Sequence, residues 1–227
     1  MGPCVKRAID ASEARYYPSP MPESRLPHFK FERAYAGIVC GVDEVGRGPL
    51  AGPVVAAAVV LPRKLPRSVA RDVDDSKKLN LADRERLDLA IRGCAMVGVG
   101  EASVAEIDSV NILQAAFLAM RRAMAQLTVV PDLALVDGNL HPGLPVPCQM
   151  VIGGDGIHLS IAAASIVAKV VRDRMMIALA DQHPEYGWHS NVGYATLAHR
   201  NALKRFGPTP HHRTSFAPVR DCLAVTI

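Results

Sequence analysis

Runs of apolar residues, separated by charged or glycine-rich segments, predict a series of short strands in this chain. Continuous apolar runs at 36–42 and 54–61 predict two buried strands, and the short connection between them favours an antiparallel pair. Apolar residues alternate with glycine at 94–101, which predicts a third strand. Shorter apolar runs at 133–136 and 146–152 predict two more strands.

Apolar residues at helical spacing predict the helices. This spacing covers 81–92 and 112–127, and the pattern of a capping box stands at 103–106. An alanine-rich stretch predicts a long helix over about 157–182, and a last helix is predicted over 196–206, ahead of a tail rich in Pro and His. Three strands followed by alternating helices and strands indicate a mixed α/β fold.

The chain divides into an N-terminal extension and one folded domain. Residues 1–34 contain five prolines and show neither helical nor strand periodicity. This composition predicts a poorly ordered extension, with a short docked arm as the alternative. Residues 35–227 are predicted to form a single domain that ends in a helical segment from about 195. Within this domain, the charged stretch 62–80 is predicted to be a loop.

Composition places the protein among globular chains. Apolar residues make up 49% of the sequence, enough for a sizeable core, and 26 Lys and Arg against 22 Asp and Glu permit a nucleic-acid partner without requiring one. The five cysteines are scattered and form no Cys-x-x-Cys pair, which indicates reduced thiols in a cytoplasmic protein. No signal-peptide pattern or membrane-spanning apolar stretch is found, so we expect no membrane partner.

Acidic residues stand repeatedly where predicted strands and loops end. Asp43 and Glu44 close the first strand, Asp137 closes the fourth, and Asp155 precedes the long helix. Ligands bind at strand ends in α/β sheets, and four carboxylates gathered there would repel one another unless a cation neutralised them. Oxygen ligands suit Mg²⁺ or Mn²⁺. Two such ions about 3.5–4 Å apart can activate a water and stabilise the leaving oxygen in phosphodiester cleavage.

Each of these patterns has a simpler alternative. Asp137 fits an ordinary turn with the following Gly and Asn, and Asp155 fits a helix cap. The glycines at 46–52 superficially resemble a dinucleotide-binding loop, but the segment that follows is β-like rather than helical. The late histidines lack His-Glu-x-x-His spacing, so no zinc site is predicted. His211 and His212 could contact phosphate or hydrogen-bond helix ends.

Several long motifs follow one another in a recognisable order. They are Asp-Glu-Val-Gly-Arg-Gly-Pro-Leu-Ala-Gly-Pro-Val at 43–54, Asp-Ser-Lys-Lys-Leu at 75–79, Asp-Gly at 137–138, the alanine-rich stretch at 160–170 with Arg172 and Asp173, Gly-Tyr-Ala-Thr at 193–196 with His199, and His-Arg-Thr-Ser-Phe at 212–216. Over roughly 36–219 the chain resembles the type 2 ribonuclease H family (ribonuclease HII).

The resemblance implies a ribonuclease H-like α/β fold, with a mixed five-stranded sheet flanked by helices and a C-terminal helical segment. It implies an endonuclease that cuts RNA in RNA–DNA hybrids and nicks duplex DNA 5′ to an embedded ribonucleotide, leaving 3′-hydroxyl and 5′-phosphate ends. It further implies two Mg²⁺ or Mn²⁺ ions, and we expect the chain to act as a monomer. The residues that match the family's catalytic, metal-binding acids are Asp43, Glu44, Asp137 and Asp155.

The resemblance also implies a substrate-binding set. Its members are Gly46, Arg47 and Gly48, which match a turn that senses the ribose 2′-hydroxyl, Tyr194, which matches a tyrosine that packs against the next deoxyribose, and Lys77 and Lys78, which are candidate phosphate clamps. The 2′-hydroxyl is the group that distinguishes RNA from DNA, and a glycine-flanked backbone can approach it closely. Solvated surface is the alternative for the two lysines.

The sequence departs from the family pattern at one place, and it allows alternatives for two basic residues and for the reaction. Where family members often carry His-Lys, this chain has Asn191 and Val192, which would weaken phosphate contact by one charge. Lys169 and Arg172 could touch the duplex backbone or cover the solvent side of their helix. The alternatives to a ribonuclease H are a DNA-only nuclease of the same fold, similar to resolvases and transposases, and a binding module without catalysis.

Overall fold

A computed structural model describes residues 26–224 and has one mixed five-stranded sheet at its centre. The strands are β1 (Val39–Val45), β2 (Val54–Val60), β3 (Met96–Ala102), β4 (Leu133–Asp137) and β5 (Cys148–Val151). Their order across the sheet is β3-β2-β1-β4-β5. The first three strands pair antiparallel, whereas β4 runs parallel to both β1 and β5. The predicted fold class is therefore confirmed.

Helices cover both faces of the sheet and form the C-terminal segment. They are α1 (Lys30–Ala34), α2 (Arg67–Asp72), α3 (Leu81–Arg92), α4 (Val104–Val110), α5 (Ile112–Ala125), α6 (Leu159–Gln182), α7 (Trp188–Asn191), α8 (Leu197–Phe206) and α9 (Ala217–Ala224). Short 3₁₀ turns lie at Gly154–Gly156 and Pro184–Tyr186. No helix between residues 26 and 224 is long and apolar enough to cross a membrane.

The core lies on both faces of β2, which explains why this strand is apolar throughout. Its alternate residues point to opposite faces, and the sheet is covered on each. One set packs with α5 and the other with α3 and α6. Both sets are fully or almost fully buried, so β2 forms the centre of the domain.

Two segments that were predicted to be irregular each contain a short helix. The predicted loop at 62–80 contains the short helix α2, and the predicted tail after 206 contains α9. Each helix buries a valine against the body, Val69 in α2 and Val219 in α9. Helices this short are marginal alone, so tertiary packing rather than local pattern determines them. The capping box at 103–106 is confirmed, with Ser103 and Glu106 closing the start of α4.

The N-terminal prediction falls partly within the described residues. Residues 1–25 lie outside them. The remaining part, 26–34, is docked on the domain through α1 and through a parallel bridge between His28 and His158. For these residues the docked-arm alternative is the one observed.

Candidate active site

Two parallel strands bring distant carboxylates to one edge of the sheet. β1 and β4 are neighbours in which Val42 lies opposite Val136, so Asp43 and Asp137 follow side by side. Neighbouring strands are about 4.8 Å apart. The Oδ1 atom of Asp137 then accepts the N–H of Gly154 at 2.7 Å, which ties the turn that carries Asp155 to the end of β4.

Glu44 belongs to the same group although β1 continues past it. Its side chain is half-buried, and its N–H donates to Oδ1 of Asp43 at 2.7 Å. Its Oε1 lies 3.2 Å from Nη1 of Arg47. The charges of Glu44, Asp137 and Asp155 each raise the pKa of Asp43, so the four predicted acids lie close enough to interact electrostatically.

Burial and mutual repulsion make these carboxylates difficult to ionise together. Burial raises the pKa of Asp43 well above its usual range, and the charges of Asp137, Glu44 and Asp155 raise it further. Burial also raises the pKa of Glu44, although Arg47 opposes the shift. The pKa of Asp137 is raised by burial and by Asp155, against the hydrogen bond from Gly154. A divalent cation would remove this penalty by neutralising the charges.

The loop that carries Asp-Ser-Lys-Lys lies beside the acids. Lys77 Nζ is 3.3 Å from Oδ2 of Asp155 and 3.9 Å from Oδ1 of Asp75, and although burial lowers the lysine's pKa, these two carboxylates outweigh it and raise the pKa. Lys78 instead pairs with Asp74 at 3.0 Å. Of the two predicted clamps, the structure therefore brings only Lys77 to the acids.

Two serines that sequence reasoning missed support this arrangement. The hydroxyls of Ser76 and Ser165 are 2.8 Å apart and buried. Ser165 also lies near enough to Asp43 to oppose the rise in that residue's pKa. These contacts connect the Lys77 loop and α6 to the end of β1. Both serines lie inside motifs quoted above, but their types alone gave no sign of this link.

The donor set suits a hard divalent cation in chemistry and charge, because it offers carboxylate oxygens and no sulfur or imidazole. Within residues 26–224, however, no three His, Cys, Asp or Glu side chains are placed closely enough to hold an ion as they stand. Two of the acids are instead paired with cations of the chain, Asp155 with Lys77 and Glu44 with Arg47. In donor type and charge, the residues present therefore fit a divalent cation.

The Gly-Arg-Gly turn is shaped by two buried arginines. Gly46 has φ +97, and a Cβ there would overlap the side chain of Arg172, so only glycine fits. Arg213 Nη2 donates to the carbonyls of Gly46 and Gly52 at 2.6 and 2.8 Å, and its Nη1 donates to the carbonyl of Arg47 at 3.1 Å. Arg172 donates to the carbonyls of Ala51, Pro53 and Val192, each at 3.0 Å.

This bonding pattern determines which way the amides of the turn face. In a trans peptide the C=O and the following N–H point in opposite directions. Because the carbonyls of Gly46 and Arg47 point inward to Arg213, the N–H groups of Arg47 and Gly48 point away from it. Burial lowers the pKa of Arg172 to about 10 and, together with the charge of Arg172, that of Arg213 to about 9.

Both alternatives that the sequence left open for Arg172 are wrong. Its side chain is fully buried, so it neither covers the solvent side of α6 nor is accessible to a duplex backbone. Lys169 pairs with Asp173 at 2.7 Å along the same helix. Sequence reasoning missed the role of Arg213 altogether. Its position within the His-Arg-Thr-Ser-Phe motif was the only available signal. The segment after it is anchored by Asp108, whose carboxylate accepts N–H and O–H bonds from Thr214 and Ser215.

Tyr194 lies beside the turn and is 45% exposed, so its ring is accessible. Its ring is 3.4 Å from where a Cβ of Gly48 would stand, and Leu50 N–H donates to the carbonyl of Gly193 at 2.8 Å. Asn191, where the chain departs from the family pattern, has a structural role. Asn191 is buried, donates to the carbonyl of Tyr186 and accepts the N–H of Gly193.

Two of the late histidines, His199 and His212, form a buried pair, so His212 is not exposed to a phosphate. His199 and His212 are 0% and 1% exposed, with their Nε2 atoms 3.1 Å apart. His199 Nδ1 lies 2.9 Å from the carbonyl of Tyr194, and its Nε2 accepts the indole N–H of Trp188. His212 Nδ1 accepts the N–H of Thr209. Both rings are satisfied in their neutral forms, and they hold the backbone of Tyr194.

Comparison with known proteins identifies the family of this chain. The ribonuclease HII family model matches residues 40–219. A ribonuclease HII of Paramagnetospirillum magneticum is 62% identical over 195 residues, which cover 86% of this chain and 97% of that protein. The crystal structure of the ribonuclease H2 from Pyrococcus horikoshii matches with a TM-score of 0.71 and 28% identity, over 83% of this chain and 98% of that one.

A more distant structure shares the fold. Bst-RNase HIII, crystallised in complex with Mn²⁺, matches with a TM-score of 0.67 and 22% identity, over 83% of this chain and 70% of that one. The family match spans most of the domain, and it includes the acidic strand ends, the Gly-Arg-Gly turn and Tyr194. The chain therefore belongs to the ribonuclease HII family and is a metal-dependent endonuclease of the ribonuclease H type.

Proposed function

We propose that this enzyme hydrolyses RNA in RNA–DNA hybrids and nicks duplex DNA 5′ to an embedded ribonucleotide, leaving 3′-hydroxyl and 5′-phosphate ends. The proposal depends on two features that meet at the end of β1. A turn whose amides face outward follows directly after two of the four clustered acids. A group that senses a ribose would thus stand next to the groups that cut beside it.

The four acids, Asp43, Glu44, Asp137 and Asp155, are proposed to hold two Mg²⁺ or Mn²⁺ ions. When bound, such ions supply an activated water and charge stabilisation for phosphodiester cleavage. The carboxylates then serve as ligands and need not act as general bases. With ions bound at the acids, Lys77 would be available to pair with a substrate phosphate instead of Asp155, which is consistent with its exposed side chain.

Recognition of the ribonucleotide is assigned to Gly46, Arg47, Gly48 and Tyr194. The N–H groups of Arg47 and Gly48 face away from the buried arginines and offer donors to a 2′-hydroxyl. The exposed ring of Tyr194, next to Gly48, offers a flat surface to the following deoxyribose. All of these groups come from one chain, which supports action as a monomer.

The test is incubation with a DNA duplex that carries one ribonucleotide, with Mn²⁺, with Mg²⁺ and with EDTA. We expect a metal-dependent nick immediately 5′ to the ribonucleotide, mapped to the nucleotide by gel electrophoresis and end analysis. Asp43→Asn is expected to abolish cleavage while leaving duplex binding largely intact. Metal-dependent turnover by Asp43→Asn would refute the assigned acid site.

The second candidate is a nuclease of the same fold that cuts DNA alone. An all-DNA duplex of the same sequence decides between the two, because equal rates on both substrates would favour this candidate. Family membership decides against the third hypothesis, a binding module without catalysis.

A further inference from the structure

The docked arm, residues 26–34, is attached to the start of α6. His28 N–H donates to the carbonyl of Ile157 at 3.0 Å, and Leu159 N–H donates to the carbonyl of His28 at 3.2 Å. The arm lies outside residues 40–219, the part of the chain that the family model matches. Its contacts nevertheless fall immediately after the turn that carries Asp155.

Glu32 is the centre of this contact. It is 5% exposed, and its Oε1 accepts the N–H of Ser160 at 3.1 Å and the Ser160 hydroxyl at 2.7 Å. The residue before α6, His158, provides no side-chain cap of its own. Glu32 therefore supplies, from the arm, a carboxylate that satisfies an N–H at the positive end of a 24-residue helix.

The charge state of Glu32 agrees with this role. Burial raises its pKa, but the nearby ring of His158 and the hydrogen bonds from Ser160 outweigh burial and hold the pKa below its usual value. The Nδ1 atom of His158 lies 3.8 Å from Oε2 of Glu32, so the second carboxylate oxygen also faces the start of α6.

The opposite side of Ser160 is held by β1. A Cβ at Gly41 would overlap the backbone of Ser160 and Ile161, so strand and helix touch there through main-chain atoms alone. Gly41 precedes Asp43 by two positions, and Ser160 follows Asp155 by five. The first turn of α6 is thus held between the arm on one side and β1 on the other, a few residues from each of these two acids.

We propose that the arm positions Asp155 against Asp43 and that Glu32 is a positioning residue for divalent-metal binding. This inference rests on the proposed function for the role of the acids. Glu32 acts through Ser160 and the helix start, and it touches neither metal nor substrate. Its removal should free the turn at 154–156 and weaken the affinity of the acids for Mn²⁺.

The test compares Glu32→Ala and Glu32→Gln with the wild type. We expect Glu32→Ala to raise the dissociation constant for Mn²⁺, measured by calorimetry, by roughly tenfold, as supporting partners of metal ligands do. The Mn²⁺ concentration for half-maximal nicking should rise in parallel, with KM for the duplex at saturating Mn²⁺ unchanged. Amide hydrogen exchange at 154–162 should accelerate. Glu32→Gln keeps an acceptor for Ser160 and should recover most of the loss.

Glu106→Ala is the matched control, because Glu106 also caps a helix start but does so on α4, where its carboxylate pairs with Arg122. Unchanged Mn²⁺ affinity and exchange in Glu32→Ala, or an equal loss of affinity in Glu106→Ala, would overturn the proposal. If Glu32→Ala fails to fold by circular dichroism, Ser160→Ala takes its place, with a smaller loss of affinity expected and an unchanged affinity contradicting the proposal. Calorimetry and exchange need no substrate, so a wild type that fails to nick would refute the proposed function separately.

Discussion

Arg172 and Arg213 carry full charges into the interior and direct them at backbone carbonyls. Burying a charge is costly unless hydrogen bonds compensate, and here each guanidinium makes several. Their role could not be predicted from the sequence, because an arginine within a motif gives no sign of whether it faces substrate or core. Asp43 and Asp137 differ, since each follows a predicted buried strand and strand ends meet at one edge.

Arg213→Lys tests whether the Arg213 guanidinium holds the Gly-Arg-Gly turn in shape. A lysine keeps the charge but cannot reach the carbonyls of Gly46, Arg47 and Gly52 together. We expect the turn to lose its shape, and kcat/KM on a one-ribonucleotide duplex to fall by roughly a hundredfold, since small misplacements near the chemistry have large effects. Steady-state kinetics provide the measurement. Arg220→Lys, at an exposed position on α9, should change nothing, and equal effects of the two substitutions would contradict this role.

The two neighbouring lysines predict different salt dependences. Lys77 faces the acids, whereas Lys78 pairs outward with Asp74. If Lys77 contacts a phosphate, Lys77→Met should reduce the slope of log K against log salt by about 0.9. Binding of a labelled duplex across a salt series in Ca²⁺ gives the slope. Lys78→Met serves as the control, and identical slopes for the two variants would rule out a specific contact at Lys77.

The sequence predicted those helices and strands that a local pattern of apolar residues determines. All five strands and the long helices were placed because each has an apolar run or a helical period. Strand β1 nevertheless begins at Val39 rather than at 36, and it continues through both acids to Val45. Helices α2 and α9 were missed because they depend on one buried valine each. The arm's contacts were beyond prediction, since Glu32 and Ser160 are 128 residues apart.

Packing against α5 explains why β3 contains glycines. A Cβ at Gly100 would overlap the backbone of α5 at Ala119 and Ala123. Gly100→Ala should therefore push α5 from the sheet and lower the free energy of unfolding by about 1–3 kcal/mol. Urea denaturation measures this change. Glu101→Ala, at the exposed next position, should stay within about 0.5 kcal/mol, and a similarly small effect at Gly100 would mean that α5 yields easily.

At the scale of the whole molecule, the C-terminal segment is joined to the catalytic face by neutral polar groups. The pair His199–His212 links Thr209, Trp188 and the backbone of Tyr194. Burial lowers the pKa of both histidines, and for His212 the pKa falls to about 3, with His199, His183 and His211 adding to the shift. The motifs predicted which residues belong to this segment, but not that its histidines stay uncharged.

Acid should therefore loosen this segment, and the sign follows from proton uptake. The unfolded chain protonates His212 near pH 6.5 while the folded chain resists until about pH 3, so the unfolded state binds more protons in that window. The contribution of neutral His212 to the free energy of unfolding is complete above pH 6.5. Below that it falls by about 1.4 kcal/mol for each pH unit. Measured by urea denaturation from pH 7 to 4.5, His212→Gln should show a shallower decline than the wild type, whereas His189→Gln, at an exposed histidine, should match it. A wild-type decline that survives in His212→Gln would assign the acid sensitivity to other groups.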